Sequence, residues 1–183
     1  MKKDKTLFLY SDNKIELERR NQIPWGVVYH RFDDGECLVL SLKSNIKYNN
    51  FSNSAQWNIK QPVTGSSWRL PTRFDFICIL RELCQMDFDN MDTEYYVPGS
   101  FGSTDINLYF NQGELCNRLR SFGVEIDTEH SFEGCDTEKY SCGEIWTLNM
   151  IEGKIGKDNP SEEYRFYNPI SYALLPVCNV RQY

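Results

Sequence analysis

The sequence has no long apolar run. Nothing in it approaches the ~20 consecutive apolar residues that a membrane-spanning helix requires, so no membrane insertion is expected. Near the N-terminus, Lys2 and Lys3 precede only Leu7-Phe8-Leu9-Tyr10, well short of the apolar core of about 7–15 residues in a secretion signal. As written, the chain is read without an export signal, and its compartment stays open. Basic clusters are also missing. After Lys2-Lys3-Asp4-Lys5 the longest is Arg19-Arg20, and the net charge is −6. A chain of that sign without a basic stripe is a poor match for a phosphate backbone, which argues against nucleic acid as a partner. Histidine is scarce: only His30 and His130 occur, far apart in the chain, and no Cys-x-x-Cys pair accompanies them. By chain spacing there is no zinc motif, and neither a metal nor another cofactor is expected. No glycine-rich phosphate loop, internal repeat, low-complexity tract or Pro/Gly-rich linker interrupts the 183 residues. That length fits one domain spanning 1–183, with residues 1–24 as an extension carrying one short strand at 5–10.

What is present is enough for a core: 40% of the residues are hydrophobic and 14% aromatic, so wholesale disorder is ruled out. The seven cysteines are an odd number, which leaves at least one outside any disulfide. Cys78, Cys84, Cys116 and Cys178 stand among apolar residues and read as small core side chains. Cys135 and Cys142 flank a polar loop and are a candidate disulfide in an oxidising compartment.

Residues 25–42 hold two strand-forming runs around Asp33-Asp34-Gly35-Glu36, where Asp-Gly supplies the positive φ angles of a hairpin turn. Residues 43–65 are polar and read as irregular. In Trp68-Arg69-Leu70-Pro71-Thr72, Pro71 forces Leu70 towards extended backbone, so no helix begins earlier. Thr72 is then the N-cap, and Asp75 completes a capping box. Phe76, Ile77, Leu80, Leu83 and Cys84 keep helical spacing, which predicts a helix over 73–86. Trp68 and Leu70 anchor its approach, and Arg69 is placed to satisfy backbone carbonyls or a carboxylate at the helix start.

The same grammar recurs at Asn111, with Glu114 three residues on and Gly123 as the terminator, which predicts a second helix. A short element is expected within 103–110, and polar loops at 124–142 and 153–163. Residues 144–151 alternate as a strand, and residues 164–168 and 171–183 supply the closing strands. Pro176, unable to donate to a ladder, is expected at an edge or bulge.

The combination of a Gly26–Leu42 hairpin, Trp-Arg-Leu-Pro-Thr before a helix, and a terminal strand ending Val180-Arg181 resembles bacterial C-type-lectin-like domains. The nearest group is that of collagen-like-adhesin C-terminal domains and their major-paralogous-domain relatives. The matching stretches are 25–42, 68–83, 144–150 and 172–181; the loops between them are unmatched. The resemblance implies an α+β C-type-lectin-like fold, with antiparallel sheets, two helices and long loops. It also implies a non-enzymatic module, commonly extracellular or at the cell surface, that recognises a protein or glycan through its loop face and C-terminal strands. Trp146 and Thr147 stand where family members read Trp-Ser-Ser-Thr, and Trp146 with Asn149 echoes a ligand-facing strand. The Glu-Pro-Asn calcium–sugar signature of animal lectins is absent.

Tyr164, Arg165, Tyr167 and Asn168 cluster near the C-terminal strands. Such residues supply rigid contact area and planar hydrogen bonding, so they join Trp146 and Asn149 as candidate ligand contacts. Residues 95–99 are a candidate rim. Trp68, Arg69, Pro71 and Thr72 are assigned a structural role. No catalytic residue is assigned. The fold superfamily also holds sulfatase-modifying enzymes, for which Cys178 is the nearest echo of a reactive cysteine and His130 a candidate base. Asp87, Asp89 and Asp92 resemble part of a calcium loop, but the glycine and distal glutamate of such a loop are missing. A structural or tip subunit of a surface or phage assembly is the other alternative, and the sequence leaves the oligomeric state open.

Overall fold

The structure is a computed structural model that describes residues 5–19, 21–42, 47–48, 68–89, 107–126, 128, 131–134, 145–158, 172–173 and 175–182. Two short strands come first, β1 (Phe8–Leu9) and β2 (Ile15–Glu16). The hairpin follows as β3 (Gly26–Arg31) and β4 (Glu36–Ser41). Its turn differs in type from the one expected. Only Gly35, at φ +86°, lies in the left-handed region, where a side chain is unfavourable. Phe32 accepts from the Gly35 amide and donates to Glu36, while the Asp34 carboxylate accepts from the Glu36 amide. The connection is therefore a type I turn followed by one left-handed residue.

β5 (Lys47–Tyr48) lies within the stretch expected to be irregular. The first helix, α1 (Arg73–Cys78), starts at Thr72 with a complete capping box to Asp75. It then widens into a π-helical turn over Ile79–Leu83, in which the Cys84 amide reaches back five residues to the Ile79 carbonyl. Gln85, at φ +51°, stops the helix. The expected helix to residue 86 thus ends early, because Gln85 cannot continue it in a left-handed conformation.

After β6 (Leu108–Tyr109), α2 (Gln112–Ser121) is capped by Asn111 and closed by Gly123 at φ +86°. Glu114 pairs with Arg118 one turn on at 2.5 Å. β7 (Ser131–Glu133) falls inside the expected 124–142 loop. β8 (Ile145–Asn149) is followed by β9 (Lys154–Asp158), which replaces the first half of the expected 153–163 loop. The two pair antiparallel from Ile145–Asp158 to Asn149–Lys154. β10 (Tyr172–Ala173) and β11 (Val177–Arg181) complete the set. The closing strand expected within 164–168 lies outside the described residues.

The strands form two sheets. The five-stranded sheet, ordered β11-β4-β3-β1-β2, is antiparallel throughout and joins the N- and C-terminal strands. The six-stranded sheet, ordered β5-β10-β7-β8-β9-β6, is antiparallel except for the parallel β10–β7 pair. The architecture is α+β. Pro176 precedes the edge strand β11, and its carbonyl accepts from Ser41.

The main core gathers Phe8, Tyr10, Leu38, Leu40, Phe76, Leu80, Leu83, Leu119, Phe132 and Leu148. A smaller cluster packs Trp68 with Leu9, Val39, Cys178 and Val180. Since side chains alternate along a strand, Leu38 and Leu40 of β4 face one side and Val39 the other, so both faces of the five-stranded sheet are covered. Of the two residues expected to anchor the approach to α1, Trp68 is buried and Leu70 only half-buried.

Candidate functional site

Two places on the five-stranded sheet concentrate polar chemistry. The first is the approach to α1. Arg69 exchanges both backbone hydrogen bonds with Val177 of β11 (2.7 and 3.0 Å), which ties the approach to the end of the chain. Its guanidinium donates to Asp75 at 2.6 and 3.2 Å, to the Leu70 carbonyl at 3.1 Å and to Asn179 at 3.0 and 3.2 Å. Asp75 is fully buried, and also accepts from the Thr72 amide (2.7 Å), the Thr72 hydroxyl (2.9 Å) and the Tyr29 hydroxyl (2.6 Å).

Burial alone would push the Asp75 carboxyl up. The hydrogen bonds and charge of Arg69, helped by Tyr29 and Thr72, outweigh it and hold the group below its ordinary range. Burial, then the neighbouring Asp75 charge, pushes Tyr29 well above its ordinary value. Burial acts to lower Arg69, but Asp75 overcomes it and the net shift is upward. These groups satisfy one another, and the arrangement does structural work: it fastens β3, β11 and the helix start together.

The second place is a cleft of about 410 Å³ between residues 5–7, β3 and the end of the π-helical turn. It is lined by Lys5, Val28, His30, Glu82 and Phe122 among others. Its geometry comes from two irregularities. The β3–β4 register slips between Val28 and His30, a bulge at Tyr29. A bulge breaks the alternation of a strand and re-aims its side chains. Here consecutive residues both reach the helix: Tyr29 meets Asp75, and His30 Nδ1 meets Glu82 Oε2 at 2.7 Å. Glu82 itself lies on the π-helical turn. The His30 ring sits edge-on to Phe32 and Phe74, with centroids 4.5 and 5.4 Å away. Cys78, fully buried, lies behind the pair. One ligand atom each from His30, Cys78 and Glu82 all fall within 4.8 Å of one another. Cys78 and Glu82 are four residues apart on one helical segment, but nothing in the chain spacing brings His30 to them; that depends on the docking of helix on sheet.

The candidate ligand contacts fare differently. Asn149 is buried at the end of β8, where its Oδ1 accepts from the amides of Ile151 and Glu152, both at 2.9 Å. Its oxygen is thereby committed to the β8–β9 turn. Trp146 belongs to β8, opposite Lys157. Tyr164, Arg165, Tyr167 and Asn168 lie outside the described residues, as do residues 95–99, Asp92, His130, Cys135 and Cys142. Asp87 and Asp89 are exposed, with Asp87 3.5 Å from Arg81.

The described cysteines are all buried. Burial pushes Cys178 and Cys84 up to about 12 despite the nearby charges of Arg69 and Arg118. Comparison with known proteins finds no matching family model, curated protein or solved structure.

Proposed function

We propose that this chain is a non-enzymatic binding module of C-type-lectin-like architecture that recognises a protein or glycan through its long loops and C-terminal strands. One observation carries the reading. The four longest stretches of sequence between described residues, 49–67, 90–106, 135–144 and 159–171, each lie next in the chain to a strand of the six-stranded sheet, within a residue or two. The five-stranded sheet, fastened to the helix start by Arg69 and Asp75, supplies a fixed frame. Binding residues concentrate on segments held by a rigid scaffold, and long stretches of sequence bordering one sheet suit such a role. Tyr164, Arg165, Tyr167 and Asn168 belong to one of these connections and are the proposed contacts, with Trp146 on the adjoining strand.

The cysteine-enzyme alternative draws little from Cys178. A nucleophilic thiol needs a depressed pKa and access to substrate, whereas Cys178 is fully buried and pushed up to about 12. The test is a glycan array probed with the purified chain, with and without calcium, alongside Arg165→Ala and Tyr167→Ala. Binding that disappears in both variants supports the proposed surface. Binding that survives both places the site elsewhere. Silence on the array together with concentration-dependent self-association favours the assembly-subunit alternative.

A further inference from the structure

We propose that His30, Cys78 and Glu82 form a binding site for one divalent transition-metal ion of the zinc class, at the floor of the cleft between β3 and the π-helical turn. The donors are one imidazole nitrogen, one thiol sulfur and one carboxylate oxygen, all within 4.8 Å of one another. A zinc ion sits about 2.0–2.3 Å from such atoms, so a tetrahedral shell holds them roughly 3.3–3.8 Å apart. His30 Nδ1 and Glu82 Oε2 are 2.7 Å apart. They need to separate by about half an ångström or a little more to admit the ion, and a donor pair at the 4.8 Å limit needs to close by about 1 Å. Side-chain adjustment achieves that, since Glu82 is long and faces the cleft.

The donor set selects the metal. Calcium and magnesium take shells of oxygen, whereas a mixed nitrogen, sulfur and oxygen set suits zinc or its spectroscopic substitute cobalt. Three protein donors leave a coordination position open, and with His30 and Glu82 lining the cleft that position lies on its side. The same three residue types could be read as a cysteine–histidine–carboxylate triad. Cys78 is 0% exposed, which bars a bulky acyl substrate from its sulfur but not an ion seated between the three side chains.

The surroundings favour a built site over a chance encounter of polar groups. Two of the donors sit on departures from regular backbone, His30 directly after the β3 bulge and Glu82 on the π-helical turn, while Cys78 lies four residues before Glu82 on the same helical segment. π-helical turns occur frequently at functional sites. Phe32 and Phe74 hold the His30 ring edge-on from two directions, which restricts its rotation before any ion arrives.

The test is a titration of the full chain, first treated with a chelator, with cobalt(II). The expected result is a thiolate-to-cobalt charge-transfer band that saturates at one ion per chain and is displaced by zinc. His30→Ala and Glu82→Gln, both altered at the cleft surface, should each weaken cobalt binding about tenfold or more while leaving the far-ultraviolet circular dichroism unchanged. Cys78→Ala should abolish the band, but the decision does not depend on whether that core variant folds. Absence of a stoichiometric band in the unaltered chain overturns the proposal. So does an unshifted titration in both His30→Ala and Glu82→Gln, which would assign the ion to other thiols.

Discussion

Asp75 shows how much a single side chain can fasten. It is fully buried, and accepts from Arg69, Thr72 and Tyr29 at once. Removing Asp75 leaves the buried Tyr29 hydroxyl without its acceptor and the part-exposed Arg69 unpaired, so Asp75→Ala should lose about 2–4 kcal/mol in urea denaturation. The pair also sets an acid limit. The folded carboxyl is held below its unfolded value of about 3.9, so its stabilising contribution is complete above that pH and drains away as pH falls through the lower folded value. In Asp75→Asn the stability should be lower at neutral pH and flatter below about pH 4, as read from urea midpoints across a pH series. The thiols give a second residue-scale test. With Cys84 and Cys178 buried and pushed up to about 12, neither should react with iodoacetamide in the native protein. Both should be alkylated promptly in urea, as mapped by mass spectrometry. Rapid native labelling of Cys178 would revive the thiol-enzyme alternative.

Among the elements, the β8–β9 hairpin is the one whose turn can be tested most directly. Gly153 takes φ +69°, and a Cβ there would lie 2.6 Å from the Phe110 carbonyl oxygen and 2.8 Å from Gln112 Cδ. Gly153→Ala should therefore cost about 1–3 kcal/mol, seen as a lowered urea midpoint with an unchanged slope. The same hairpin marks the limit of what the sequence could say. The two helix starts were legible because their signals are local: Thr72 with Asp75, and Asn111 with Glu114, act within three residues of one another. β9, Lys-Ile-Gly-Lys-Asp, has the composition of a loop and becomes a strand through its pairing with β8. Asn149 followed four residues later by Gly153 was the available clue to the turn. Asn149 drew attention as a ligand contact instead, through its place after Trp146. The π-helical turn carries no local mark in Ile79–Leu83, and neither does the bulge at Tyr29. The grouping of His30 with Cys78 and Glu82 was thus out of reach, while the need of Arg69 for a carboxylate at the helix start was not.

Across the whole molecule, the order β11-β4-β3-β1-β2 puts the last strand against β4 of the β3–β4 hairpin. β11 contributes Val177, Cys178 and Val180 to the two clusters, and offers Arg69 its backbone partner. A chain ending at Pro176 should therefore lose cooperative unfolding and near-ultraviolet circular dichroism, not merely shed a frayed end. Retention of a sharp thermal transition would contradict this account of the sheet.

The placement of β11 also has a consequence in time. During synthesis, β4 emerges from the ribosome long before residues 177–181 exist to pair with it. Until they arrive, its outer edge presents Cys37, Leu38, Val39 and Leu40 unpaired, and apolar strand edges of this kind invite association with other chains. Closing a contact between residues so distant in the chain is also slow. The newborn protein should thus depend on a chaperone that shields this edge, and its yield of soluble protein should fall when translation outpaces that protection.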